Sequence, residues 1–296
     1  MSDHKEAKSF SRFGYIMVAA GAAIGLGNIW KFPYLAYGDG GGAFVLIYIV
    51  ICILLGHPIV QAEQAVGRRG CASAAASYGV IHPKWRFVGV INIVCTFLID
   101  IYYLVVSGWV LKYFVTYVVS GDFGKDKQAY FDNYISSTTQ PLIYSLIIIA
   151  IIVFFLFFGI TNIVEKASKV IMPMLAVLLL VCGIYALIVV PGAVDGLKYY
   201  FVPDFSKFGM QQFADACMQV CFSVGIGWGI FTTLGASMDK DANLKADAWW
   251  VDICDTFIAL LAGFVIIPTV VGTGSEMSSG PSLVFVAMTQ IFETLP

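Results

Sequence analysis

Two glycine-rich runs mark where this sequence could do chemistry. The first reads Gly21-Ala22-Ala23-Ile24-Gly25-Leu26-Gly27-Asn28, and the second reads Ser223-Val224-Gly225-Ile226-Gly227-Trp228-Gly229. Each sets three glycines in the middle of a long apolar segment, where each costs a helix roughly 1 kcal/mol relative to alanine. Backbone unwound at membrane depth persists only where it lines a cavity or is buried in protein. There its free carbonyls can hold a cation and its free amides an anion. For either run alone, close packing of helices through small residues is the alternative. The same apolar segments carry Asn28, Ser223, Glu63, Asp100 and Asp255. An ionisable residue in a span is a functional candidate because burying it in lipid is costly.

Catalytic chemistry finds no comparable foothold. His4, His57 and His82 are far apart, no nucleophile–base set or metal-ligand spacing accompanies them, and an enzyme is not expected. Pro58 beside His57 suggests a helix kink instead. The seven cysteines (Cys52, Cys71, Cys95, Cys182, Cys217, Cys221 and Cys254) fall in apolar segments or a short basic loop. They indicate neither a disulfide framework nor a metal pair.

The elements that must position these residues are membrane helices. Of 296 residues, 12% are charged and 59% apolar, and the mean hydropathy is +0.84, far from a water-soluble domain. A helix crossing the hydrocarbon core needs about 20 mostly apolar residues. Uncharged runs cover 13–30, 40–62, 133–164, 170–194, 216–238 and 256–275, and a seventh segment over 87–111 is interrupted only by Asp100. The sequence therefore predicts one all-α transmembrane domain over 1–296. Its helices fall near 12–37, 42–68, 87–119, 139–160, 168–190, 211–238 and 246–273, followed by an extracellular loop over 274–296. Loops at 1–12, 68–86, 165–169 and 239–247 hold eleven of the 17 Lys and Arg, which places the amino terminus in the cytoplasm by the positive-inside rule. The 239–247 loop is the weakest of these, because Asp239, Asp241 and Asp247 outnumber Lys240 and Lys245. A cleaved signal peptide suits the first run poorly, since the run is long and lacks a small-residue cleavage site. The net charge of −2 argues against a nucleic-acid partner.

Extended to Gly21–Tyr34 and Gly40–Phe44, the first run resembles the first helix of the neurotransmitter:sodium symporter family, and its bacterial leucine-transporter-like amino-acid transporters in particular. Glu63 with Gly67-Arg68, Tyr102-Tyr103 before Ser107-Gly108-Trp109, Gln219 to Gly229, and Asp255 to Pro268 extend the resemblance over nearly the whole chain. It implies a leucine-transporter-like bundle with broken first and sixth helices, about seven of twelve helices, and a second inverted repeat that is cut short. Members of this kind reside in the cell inner membrane.

By that resemblance a first sodium ion is held by the Ala23 carbonyl, the Asn28 and Ser223 side chains, Asp255 and the substrate carboxylate. A second uses the Gly21 and Ile24 carbonyls, with its remaining ligands on an eighth helix. Helix-to-helix hydrogen bonding is the alternative for Asn28 and Ser223. The amides of Leu26 and Gly27, with the Tyr103 hydroxyl, would receive the substrate carboxylate. Carbonyls of Ala22, Phe222 and the second break, including Gly225 and Gly227, would meet its amino group. Gly25 stands where monoamine carriers have an Asp, which favours amino acids. Ile99, Tyr103, Phe222 and Trp228 make the side-chain pocket apolar and aromatic, suiting a large aliphatic or aromatic side chain; Tyr103 could equally be packing between helices. Lys31 matches the outer-gate cation, whose acidic partner is expected beyond Pro296, and Glu63 matches a residue that braces both breaks. The Arg and Trp that precede the first span in the family have no evident counterpart in Lys5, Lys8, Ser9 and Phe10. Asp100 has no family role.

Chloride-dependent relatives hold their anion with a Tyr, a Gln and two Ser or Thr. Tyr48, Gln219 and Ser223 match here, but the fourth position is Ala259. Asp255 brings its own negative charge, so chloride is not expected; a protonated Asp255 in a local hydrogen-bond network is the alternative. No organic cofactor is expected. The leading expectation is sodium-coupled symport of a neutral amino acid by alternating access, and the alternative is a transport-incompetent membrane binding or scaffold fragment. The glycine breaks do not suit a seven-span receptor, and oligomeric state is not readable.

Overall fold

The computed structural model describes residues 10–157, 160–239, 241–274, 277, 280, 283–287 and 289. His4, Lys5, Lys8, Ser9, Lys240 and most of the loop expected over 274–296 lie outside the described residues. Helix α1 (Arg12–Ala23) starts where the Ser11 hydroxyl accepts the Gly14 N–H at 3.1 Å, the N-cap role that satisfies a free helix-end donor. It stops at Ile24, whose backbone is extended at φ −67° and ψ 108°. Helix α2 (Gly27–Gly38) resumes at 61° to α1 and opens with a π-helical turn over Gly27–Lys31. Helix α3 (Gly42–Gly70) carries another π-helical turn at Cys52–Gly56, directly before His57-Pro58. A proline lacks the N–H that the helix ladder needs, so the expected kink is realised as a widened turn.

The remaining helices are α4 (Ala74–Ile81), α5 (Arg86–Val119), α6 (Lys127–Ser136), α7 (Thr139–Phe157), α8 (Ile160–Val189), α9 (Ala193–Phe201), α10 (Met210–Val224), α11 (Ile230–Gly235) and α12 (Leu244–Thr273). Among the described residues five helices are long and apolar enough to cross a membrane, or six if α1 and α2 form one bent span. The sixth expected span is α10 and α11, which the second glycine run divides into pieces of 15 and 6 residues. Among the described residues the extended structure is one antiparallel bridge, Gly41 with Pro203.

The chain divides into two compact units. The first comprises residues 1–94 and 164–277 and contains both glycine breaks. Its central element is α12, with 67% of its most apolar stretch buried, against 11% for α8. Glycines let neighbours approach: a methyl on Gly67 of α3 would strike the Thr232 carbonyl of α11, and one on Gly263 of α12 would strike the Tyr200 ring. The Tyr200 hydroxyl donates to the Leu260 carbonyl at 3.0 Å. One apolar cluster joins Tyr15, Val18, Val60, Phe231 and Val251, and another joins Phe32, Phe44, Tyr48, Val220 and Ile267.

The second unit comprises residues 95–163 and 278–296. Rings from Trp109, Tyr113, Phe123, Tyr130, Phe131 and Phe285 pack edge-on and stacked, with Phe131 on Phe285 at 5.5 Å. On α7 only 6% of the most apolar stretch is buried, and Phe154, Leu156 and Phe157 point outward. An apolar surface of this extent requires a bilayer rather than water.

Candidate functional site

The two breaks meet each other directly and converge on Asp255 of α12. Asn28, one residue into α2, is fully buried, and its side-chain Oδ1 accepts the Gly25 N–H at 3.0 Å, replacing a bond the unwound backbone has lost. Its amide nitrogen donates to Ser223 Oγ at 2.9 Å, to Asp255 Oδ1 at 2.7 Å and to the Asp255 carbonyl at 3.2 Å. The Ser223 hydroxyl, at the end of α10, donates to Asp255 Oδ2 at 2.9 Å. Asn28, Ser223 and Asp255 thus form a closed triangle of buried oxygen-bearing groups, with Tyr48 reaching Ser223 Oγ at 3.4 Å. A buried carboxylate held by two donors is an oxygen set that suits a hard cation.

Other groups fix the breaks. The Gln219 amide donates to the Gly27 carbonyl at 3.1 Å, tying the end of the first break to α10. Gly227 N–H donates to Glu63 Oε1 of α3 at 2.8 Å. With its amide oriented to donate, Asn92 reaches the Gly227 carbonyl at 3.0 Å, so both polar groups of that peptide are engaged.

Two aromatic rings pack at the second break. Phe222 meets Trp228 edge to face at 5.4 Å, and Lys31 Nζ sits 4.6 Å from the centre of the Phe222 ring, within cation–π range. Leu26 is half-buried and Gly27 buried, Ala23 is buried while Ala22 is exposed, and Gly25 and Ile24 are half-buried. A methyl on Gly21 would touch Met172 of α8. Ile99 and Tyr103 lie half-buried, one turn apart on α5 in the second unit, where Asp100 faces outward. Near the outer end of α2, Asp39 has its carboxyl pushed up to about 6 by burial and by the nearby Asp215, and its Oδ2 has no partner.

Three groupings were not visible in the sequence. Arg12 Nε donates to the buried Asp247 at 2.8 Å. Ser11 donates to Glu165 at 2.6 Å while Lys169 reaches both. Together they tie the start of α1 to α12 and α8. The third is His57, whose Nδ1 lies 2.8 Å from Asp252 Oδ2. A signal was present in the last case: Asp252 falls three residues before Asp255, on the same face of an apolar helix.

The family profile of the sodium:neurotransmitter symporters matches residues 7–121 and 131–296. The chain is 34% identical to the sodium-dependent transporter YhdH of Bacillus subtilis over 100% of its own length and 66% of that protein. It is 33% identical to a sodium-dependent transporter of Haemophilus influenzae over 96% of its length and 65% of that protein, so it spans just under two thirds of these relatives. The crystal structure of MhsT in complex with L-phenylalanine superposes with a TM-score of 0.90 at 34% identity, covering 98% of this chain and 67% of MhsT. The bundle is therefore the leucine-transporter-like one that the resemblance implied, and the chain belongs to the sodium:neurotransmitter symporter family.

Proposed function

We propose that this protein carries out sodium-coupled symport of a neutral amino acid with a large aliphatic or aromatic side chain, by alternating access. One transmembrane domain would span the inner membrane with its amino terminus in the cytoplasm. The observation that carries this reading is the buried Asn28–Ser223–Asp255 triangle joining both helix breaks. A sodium ion there would take the place of the two donors on Asp255, Ser223 turning a lone pair toward it, with Asn28 and the Ala23 carbonyl completing the shell. A second sodium would use the Gly21 and Ile24 carbonyls. The substrate carboxylate would meet the sodium, the amides of Leu26 and Gly27 and the Tyr103 hydroxyl. Its amino group would meet the Ala22 and Phe222 carbonyls and those of Gly225 and Gly227, and its side chain would lie against Ile99, Phe222 and Trp228. The bound L-phenylalanine of MhsT supports an aromatic ligand.

Asp255 is fully buried and Ala259, one turn on, supplies no hydroxyl. Chloride beside that carboxylate would bring two anions together in a low dielectric, so transport should proceed without chloride. Uptake of radiolabelled L-phenylalanine is expected to be equal in sodium gluconate and sodium chloride and to be lost in potassium chloride. Competition by L-leucine but not by L-lysine or L-glutamate would support the neutral pocket. Uptake indifferent to sodium would overturn the reading, and a strict chloride requirement would overturn the role given to Asp255.

A further inference from the structure

His57 of α3 and Asp252 of α12 form a buried acid–base pair that the proposed transport cycle does not use. Their side chains are 2.8 Å apart, Nδ1 to Oδ2, and only 7% and 5% exposed. The indole of Trp249 stacks on the imidazole at 4.0 Å. Asp252 Oδ1 is buried without a partner, and the cleft beside it is lined by Ile49, Cys52, Ile53, Trp249 and Phe257. The surroundings are dry, so either net-charged state of the pair is costly and the neutral state, with one shared proton, is favoured.

Asp255 stands three residues further along α12, about 4.5 Å along the helix axis at the usual rise. The titratable groups facing the pair are Cys52 on α3 and Lys245 and Asp255 on α12. Two carboxylates so close in a dry interior compete for the positive charge that reaches them, so a cation held at one lowers the proton affinity of the other. Asp252 has the His57 proton, and Asp255, on the reading above, has sodium. When sodium arrives, the negative potential that Asp255 casts on the pair falls, and the shared proton is held less tightly. Binding linkage is reciprocal, so a proton on the pair must weaken sodium to the same degree.

We propose that His57 and Asp252 form a proton-binding site coupled to the cation site at Asp255, releasing a proton as sodium binds. The inference rests on the assignment of sodium to Asp255. The test uses the purified full-length protein in weakly buffered detergent solution, with a pH-indicator dye and sodium-22 binding. Sodium chloride, but not choline chloride, should release protons. Sodium affinity should weaken by about fivefold or more between pH 8 and pH 6, the lower end of coupling between two sites. His57→Gln should still bind sodium, with the proton release lost and the affinity flat with pH. Asp252→Asn should behave likewise and decides the matter if the first variant does not fold. A wild-type protein that binds sodium without proton release, or variants that keep the wild-type pH dependence, would overturn the coupling and leave the transport reading intact. A wild-type protein that binds no sodium at any pH would overturn both.

Discussion

The two helix breaks use glycine for different reasons. In the first break no glycine has a left-handed backbone, and Gly27 is required by proximity, because a methyl there would lie 2.9 Å from the Phe222 ring. The turn is held open by a side chain, Asn28, which accepts the Gly25 N–H. In the second break Gly225, Gly227 and Gly229 have φ of 73°, 81° and 72°, a region that costs other residues roughly 1–2 kcal/mol each. A methyl on Gly227 would meet nothing within 4 Å, so the requirement there is conformational alone. Similar glycine spacing in sequence thus conceals a break made by side-chain substitution of hydrogen bonds and a break made by backbone geometry.

The largest effect should come from Asn28→Ala, which removes the acceptor of the Gly25 N–H and a donor to Asp255 together. Leaving buried polar groups unpartnered should cost about 3 kcal/mol, read as a lowered melting temperature in detergent, and sodium should no longer stabilise the variant. Next, Gly227→Ala should cost about 1–2 kcal/mol by backbone strain, and no neighbouring truncation should restore it. Gly27→Ala should destabilise comparably, but by collision, so adding Phe222→Ala should recover most of the loss. If Phe222→Ala rescues neither or both, the distinction between the breaks fails. Glu63→Ala, which deletes the acceptor for Gly227 N–H, should cost about 1 kcal/mol, and Glu63→Gln less.

The smallest effect concerns Asp39. Its folded pKa of about 6 lies above the ordinary 3.8, so the folded state binds the proton more tightly. The contribution of Asp39 to stability is then greatest below pH 3.8 and is lost as pH rises through about 6. Asp39→Asn should therefore raise the melting temperature at neutral pH and flatten that slope, by less than about 1 kcal/mol because the side chain is only partly buried and solvent screens it.

The fold was legible because lipid allows few solutions: long apolar runs must be helices, and three glycines clustered in the middle of such a run mark a place where the helix can break. Asn28 and Ser223 could be singled out because they adjoin those glycines, and Asp255 because an ionisable residue in an apolar span is costly. The partner of Arg12 was not readable, since Asp247 lies 235 residues away and charged pairs at helix ends carry no periodic signal. His57 illustrates the same gap: Pro58 beside it announced the π-helical turn, yet the carboxylate it meets comes from α12, 195 residues on. Asn92 was missed because an amide near the start of an apolar helix reads as an ordinary polar end, and only the packing of α5 near Gly227 gives it a backbone carbonyl to reach.

Convergence of both breaks on one cation is tested most directly by equilibrium binding of radiolabelled L-phenylalanine to the full-length protein in sodium against potassium buffer, for wild type and Asp255→Ala. The account predicts sodium-dependent binding in wild type, weakened at least tenfold in potassium, and no response to sodium in Asp255→Ala. Equal binding in both buffers, or a sodium response that survives Asp255→Ala, would contradict it.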